Sequence, residues 1–367
     1  MIEKCLGCGA IIQTEKPNEK GYIEKEVYLK HQENFYCKRC FELRHYNRNY
    51  EYPFNSEDYH KNLEKIKQDK GLIVYVIDLF DLEGSLINNI NQIFNTKKIL
   101  IVLNKVDLYL NSLNINKIET YVRQYLKARN VSYLDLVIIS SFKNSHIAGL
   151  ITKIKEYKEN RNVYFVGMTN VGKSSIINQI INHFTRNTDL ITVSNTMNTT
   201  VDNIKIPFDD QTFLVDTPGL VNPKHLMMFI DKKTLDIITP RSFIRPKTFQ
   251  LNPEQSLFIA GFLRIDFISG SKSSFVTNFR NDLLIHRTKL ENADVFYQEH
   301  LDDILHIPNS EERKRLGGNK QIKVDFDLNE KKDIVISGLG FVSVYGYGQL
   351  VIKTFDNIDI VIRKAIL

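Results

Sequence analysis

Residues 167–174 read GMTNVGKS, a glycine-bounded run suited to phosphate chemistry. Gly167 and Gly172 let the backbone curl, so that successive N–H groups, those of Asn170, Val171 and Ser175 among them, face an anion at the positive end of a helix dipole. Lys173 then reaches the β and γ phosphates, and the Ser174 hydroxyl is placed to ligate Mg²⁺. A second run, DTPG at residues 216–219, supplies Asp216 to hold the same Mg²⁺ through water, and the Gly219 N–H to sense a γ phosphate. Between them, residues 194–202 form a polar stretch. Thr200 is its candidate magnesium-sensing hydroxyl, with Thr199 the alternative and an ordinary loop threonine still open. The third run, NKVD at residues 104–107, addresses a base. Asp107 can accept from both N1–H and the 2-amino group of guanine, donors that adenine lacks, while Asn104 braces the neighbouring loop and Lys105 covers the ring. Ser140 and Ser141 stand where a backbone N–H meets the guanine carbonyl. The expected ligands are therefore GTP or GDP with Mg²⁺.

Strands and helices must alternate to place these loops. Strand-like runs occupy residues 72–77, 99–103, 136–139, 163–166 and 212–215, and helical patterns occupy residues 85–94, 114–129, 146–157 and 173–183. Continuous apolar strands in such alternation indicate a mostly parallel, doubly wound sheet covered on both faces. Beyond residue 221 the alternation stops. A charged stretch around residues 283–305 reads as helical, and short strand-like runs at residues 333–336 and 349–355 follow, which predicts a separate α+β domain over residues 223–367. A further helix is expected from Ser56, with Tyr59, Leu63 and Ile66 on its apolar stripe.

All four cysteines fall in two pairs, Cys5 with Cys8 and Cys37 with Cys40, separated by a 28-residue spacer. Each pair can present two thiolates from one tight turn, and two such turns complete a tetrahedral sulfur shell for structural zinc. A redox pair is the competing reading, although residues 1–45 lack the βαβ unit that accompanies one. The second pair runs into Lys38, Arg39, Phe41, Arg44, His45, Tyr46 and Arg48. That mixture of cations and rings suits RNA, and equally suits a solvated face packed on a small zinc core.

The chain of 367 residues is long enough for two or three compact units. Its 43% hydrophobic and 25% charged residues, with a formal net charge of +6, describe a mildly basic protein that fits an RNA or ribosomal partner without requiring one. Its longest apolar runs fall well short of the roughly 20 residues that cross a bilayer, so no membrane partner is expected. The start of the sequence lacks the apolar core of a secretory signal, so a cytoplasmic location is expected. Basic clusters at residues 241–247 and 313–315 read either as RNA contacts or as solvated charge.

The base motif NKVD precedes the phosphate loop, the reverse of the Ras-like order. In that order, with CLGCG and CKRC ahead of it, VIDLFDLEGS before NKVD, and HRTKLENADVFYQEHLDDIL and DIVISGLGF after DTPG, the chain resembles the YqeH-type circularly permuted GTPases over essentially its whole length. The resemblance implies a zinc-binding module over residues 1–50 and a circularly permuted, Ras-like P-loop GTPase domain over residues 51–222. Residues 223–367 would form an α+β domain contacting rRNA or ribosomal protein. It implies a slow GTPase that assists assembly of the small ribosomal subunit, with Zn²⁺ on the four cysteines and K⁺ beside Asn170. The alternative is a zinc-containing RNA-binding module whose nucleotide is mainly structural. Leu220 stands where Ras-like enzymes carry a water-orienting glutamine. Met197 and Asn198 replace the Pro-Gly common before the two threonines, and Phe341 replaces a common tryptophan.

Overall fold

The computed structural model describes residues 11–17, 21–30, 38, 66–96, 98–109, 114–186, 204–209, 211–217, 219, 220, 222 and 224–366. Cys5, Cys8, Cys37, Cys40, Thr199 and Thr200 lie outside the described residues, as do Ser56, Tyr59, Leu63, Met197 and Asn198. The chain divides into two compact units, one of residues Met1–Ile77, Ile87–Asn104 and Arg129–Leu220, the other of Asp78–Leu86, Lys105–Ala128 and Val221–Leu367. A short helix, α1 (Lys25–Lys30), falls in the first.

The first unit is built on a six-stranded sheet, β1 (Leu72–Asp78), β2 (Ile99–Asn104), β3 (Asp135–Ile138), β4 (Val163–Val166), β5 (Ile204–Pro207) and β6 (Phe213–Asp216). Its spatial order is β3-β2-β1-β4-β6-β5. The pairs β1 with β4, β2 with β3 and β4 with β6 are parallel, and the β5–β6 pair is antiparallel. Every residue of β1 and β2 is buried, as continuous apolar strands require, each Val, Ile or Leu contributing about 1.5–3 kcal/mol. Ile147, Leu150, Ile151 and Ile154 of α4 (Asn144–Lys158) and Ile176, Ile177 and Ile180 of α5 (Lys173–Arg186) pack on this sheet at helical spacing. The helix expected over residues 85–94 is shorter, confined to α2 (Ile90–Phe94). The Ser85 hydroxyl donates to the Asp81 carbonyl at 2.6 Å, and the Ile87 N–H to the Tyr75 hydroxyl at 2.6 Å. These local bonds give residues 85–87 an alternative to the helical ladder.

In the second unit, α3 (Ile115–Ala128) accompanies two five-stranded antiparallel sheets. These comprise β7 (Lys247–Leu251), β8 (Gln255–Ile259), β9 (Leu263–Gly270), β10 (Ser273–Asn278), β11 (Ile285–Lys289), β12 (Asn319–Phe326), β13 (Lys332–Ile336), β14 (Gly340–Tyr345), β15 (Gly348–Phe355) and β16 (Ile360–Lys364). The orders are β16-β13-β14-β10-β7 and β11-β8-β9-β15-β12, and apolar residues of both share one core. Among the described residues, three short α-helices complete it, α6 (Lys232–Ile238), α7 (Ala293–Glu299) and α8 (Ser310–Leu316). The charged stretch around residues 283–305 is thus helical only in a 3-10 turn, Leu290–Asn292, and in α7. Residues 285–289 form β11 because they pair in antiparallel register with β8, from Ile285 opposite Ile259 to Lys289 opposite Gln255. Tertiary pairing overrides a local helical reading there.

The turn closing the β5–β6 hairpin holds the DTPG strand in register. One Asp209 oxygen accepts from the Gln211 and Thr212 N–H groups at 3.2 and 2.9 Å and from the Thr212 hydroxyl at 2.6 Å; the other pairs with Lys158 at 2.6 Å. Burial acts to raise its pKa, but the Lys158 and Thr212 bonds prevail and lower it to about 2. A depressed folded-state value stabilises above the unfolded value of 3.8 and is lost as pH falls toward about 2. The Asp209 side chain is 41% exposed, so solvent screening limits the gain to about 1 kcal/mol. Asp209→Ala is expected to lower the thermal midpoint by about 2–4 °C at neutral pH, with the deficit shrinking below pH 3.8, as followed by circular dichroism.

Candidate nucleotide site

Within the first unit, β4 ends at Val166 and α5 begins at Lys173, so residues 167–172 are the strand-to-helix turn that a phosphate cradle requires. Asn170, exposed in this turn, adopts φ 63°, a left-handed conformation that asparagine tolerates better than most residues. Gly172 has φ 96°, and a Cβ there would lie 2.3 Å from Asn104 Nδ2. Only glycine meets both demands. Val171 is buried, while Ser174 and Ser175 are half-buried at the start of α5.

The Lys173 side chain is 7% exposed, and its ammonium donates to the Gly167 and Met168 carbonyls at 2.9 and 2.8 Å. Burial lowers its pKa to about 8 against the opposing charge of Asp216. Ser174 Oγ donates to Asp216 Oδ2 at 3.2 Å. This brings together a hydroxyl and a carboxylate from the two runs read as magnesium ligands, hard oxygen donors suited to that ion. Thr217 secures the carboxylate's strand, its N–H and hydroxyl both donating to the Phe165 carbonyl at 3.3 and 2.7 Å. Beyond DTPG the backbone bridges to the phosphate loop. Leu220 N–H donates to the Gly167 carbonyl at 3.1 Å, and the Leu220 carbonyl accepts from Thr169 N–H at 2.8 Å. A Cβ on Gly219 would lie 2.9 Å from Thr169 Cγ2 and 3.1 Å from Lys173 Nζ, so any side chain there would crowd the loop.

Asn104, 1% exposed at the end of β2, makes two bonds. Its Nδ2 donates to the Val171 carbonyl at 3.0 Å, and its Oδ1 accepts from Ser141 N–H at 3.2 Å. Within the first unit, Asn104 thereby joins the phosphate loop to the serine pair. Ser140 and Ser141 are both buried. Ser140 N–H donates to His146 Nδ1 at 2.9 Å, and Ser140 Oγ accepts from Phe142 N–H at 3.2 Å. The N–H groups of the serine pair are engaged in bracing this loop, and Phe142 beside them is 76% exposed.

The remaining base-motif residues belong to the second unit. Lys105, at φ 71°, pairs with Asp78 Oδ2 at 2.5 Å. Asp107 keeps one buried carboxylate oxygen, Oδ1, without a hydrogen-bond partner among the described residues. A buried acceptor of that kind costs free energy until a donor reaches it, and a base carrying two adjacent N–H donors fits the need. The sequence reading passed over Asp78, His146 and Thr217. A carboxylate ending the apolar run of β1 was the available signal for Asp78, and membership of DTPG was the signal for Thr217; nothing local marks His146.

Two family models match this chain, RsgA GTPase over residues 60–225 and YqeH-like, C-terminal over residues 272–366. NO-associated protein 1, chloroplastic/mitochondrial, of Arabidopsis thaliana is 25% identical over 392 residues, covering 94% of this chain and 70% of its own. GTPase Der of Karelsulcia muelleri is 30% identical over 192 residues, covering 50% of this chain and 39% of its own. The YqeH protein of Bacillus subtilis is 37% identical over 342 residues, which span 93% of this chain and 92% of that one. Identity at this level across both chains, on a sheet whose loops already carry the phosphate and base motifs, places the protein in the YqeH family of GTPases.

Proposed function

We propose that the protein is a circularly permuted, GTP-hydrolysing switch that acts in assembly of the small ribosomal subunit. The observation that carries the nucleotide reading is the pair of junctions in the first unit, Ser174 with Asp216 and Asn104 with Val171, which join motifs far apart in sequence. Strand order supports the permutation. A chain that began at β4 and ran through β5, β6, β1, β2 and β3 would lay down the same sheet, so the motif order reflects only where the chain is cut.

In this reading Gly167, Asn170, Val171, Gly172, Lys173 and Ser175 hold the phosphates, and Asn104, Lys105, Asp107, Ser140 and Ser141 form the base side. Ser174, Asp216 and Thr200 would hold Mg²⁺, which would supply neutralisation of phosphate charge when bound. Lys173, already desolvated, needs little reorganisation to meet developing negative charge. Gly219 follows the γ phosphate. Leu220 has no polar side chain with which to orient water, so backbone groups of the first switch, K⁺ held beside Asn170 and a ribosomal partner would have to supply that positioning. Cys5, Cys8, Cys37 and Cys40 hold a structural zinc, whose module, with the C-terminal domain, engages rRNA or ribosomal protein.

No helix among the described residues is long and apolar enough to cross a membrane. A cytoplasmic setting follows the bacterial relative, although the Arabidopsis relative is named as chloroplastic/mitochondrial.

Multiple-turnover GTP hydrolysis is expected from the wild-type protein, faster in K⁺ than in Na⁺, and is expected to fall at least about a hundredfold in Lys173→Ala. Turnover retained in that variant would instead favour an RNA-binding module with structural nucleotide. Metal analysis is expected to find one zinc per chain, lost in Cys37→Ser. Crosslinking should recover small-subunit rRNA with a GTP analogue and much less with GDP, and equal recovery would remove the switch.

A further inference from the structure

The segment Asp78–Leu86 begins at the last residue of β1 yet belongs to the second unit, and its acidic residues show how it is held. Asp81 Oδ2 accepts from Gly338 N–H at 3.0 Å and Ser337 Oγ at 3.4 Å, and meets His225 Nε2 at 3.0 Å. Glu83 Oε2 pairs with Arg363 Nη1 at 2.5 Å, and Arg363 Nε pairs with Asp333 Oδ2 at 3.3 Å. These three side chains are 6%, 5% and 0% exposed. Asp333 is tied in turn to Ser343 Oγ at 2.6 Å and Ile366 N–H at 3.2 Å. Phe80 lies against Phe341 and Tyr109, and the Tyr109 hydroxyl donates to the Leu79 carbonyl at 3.2 Å.

At the head of this segment stands Asp78, 7% exposed. Its Oδ1 accepts from Phe80 N–H at 2.9 Å and its Oδ2 takes the Lys105 ammonium at 2.5 Å. Burial raises the Asp78 pKa against the lowering effect of Lys105. The Lys105 ammonium offsets part of the cost of burying this carboxylate. A long flexible lysine has many rotamers, and one buried partner removes most of them.

We propose that Asp78 is a positioning residue for Lys105, and that the Asp78–Leu86 segment, pinned through Asp81 and Glu83 to β13, β14 and β16 and the turns beside them, makes retention of guanine nucleotide depend on the C-terminal strands. This rests on the reading of Lys105 as the lysine that covers the guanine ring. The dependence runs through covalent continuity and buried charge: Arg363 fixes Glu83, the short segment fixes Asp78, and Asp78 fixes the ammonium. Part of the network is left unsatisfied, since Glu83 Oε1 and Arg363 Nη2 are buried without hydrogen-bond partners among the described residues. Such a relay favours one arrangement more than it adds stability. Anything that strains β16 would thereby loosen the base side without touching the phosphate loop.

The test is the dissociation rate of fluorescent methylanthraniloyl-GDP, measured by stopped flow on the full-length protein, with a thermal melt for each variant. Lys105→Met should speed release, and an unchanged rate would sink the nucleotide-site reading itself. Asp78→Asn should speed release about tenfold, the value of one buried charge-assisted bond, and Glu83→Gln should do so several-fold. Both effects should vanish in a Lys105→Met background, because each acts through that ammonium. Arg264→Met, which breaks a different buried pair with Asp266 in the same unit, should leave release unchanged. If Asp78→Asn fails to fold, Glu83→Gln carries the same double-variant comparison. The proposal fails if Lys105→Met speeds release while Asp78→Asn and Glu83→Gln do not. It fails equally if their effects persist in full beside Lys105→Met, or if Arg264→Met matches Glu83→Gln.

Discussion

One amide side chain carries the organisation of the nucleotide half. Asn104 is almost fully buried, and it spends both ends of its amide on backbone groups of other loops, the Val171 carbonyl and the Ser141 N–H. Neither loop has a regular ladder to hold it, so an unbonded Asn104 would leave buried donors and acceptors unpaired at about 1–3 kcal/mol each. Gly172 shows the tightness of the junction, since no Cβ fits against Nδ2. The buried strand β2 delivers Asn104 to this point, and β4 with α5 delivers the loop. Sheet order thus brings the phosphate loop and Asn104 to one junction within the first unit.

Electrostatics divides the work differently in the two units. In the first, Lys173 is desolvated and tied to two loop carbonyls, a cation held ready for anionic oxygens. In the second, charges are neutralised among themselves: Glu83, Arg363 and Asp333 in one chain of pairs, Asp78 and Lys105 in another. Buried pairs of this sort add little net stability but penalise alternative arrangements. They account for why a segment that starts at the last residue of β1 packs with the C-terminal strands.

Much of the nucleotide half was legible in the sequence because its signals are local. Continuous apolar runs mark β1, β2 and β4 to within a residue, and the phosphate loop announces itself by glycine spacing between strand and helix. The helix over residues 144–158 was legible from its apolar period. Less legible was anything decided by partners distant in sequence. Ile285 to Lys289 reads as charged and helical alone, and is a strand only because β8 lies beside it. The helix expected to start at Ser85 gives way to bonds with Asp81 and Tyr75. The role of Asp78 depends on a lysine 27 positions away, a pairing that no period or motif encodes. The cysteine pairs and Thr200 remain as the sequence presents them.

The account stands on the proposal that Asn104 holds the phosphate loop and the serine pair in the arrangement that guanine nucleotide needs. Calorimetric titration of GDP into the wild-type protein and into Asn104→Ala tests it most directly. The account predicts affinity weakened tenfold or more, about 1.4 kcal/mol or greater, with the variant still folded by circular dichroism. Equal affinity in a folded Asn104→Ala protein would contradict it.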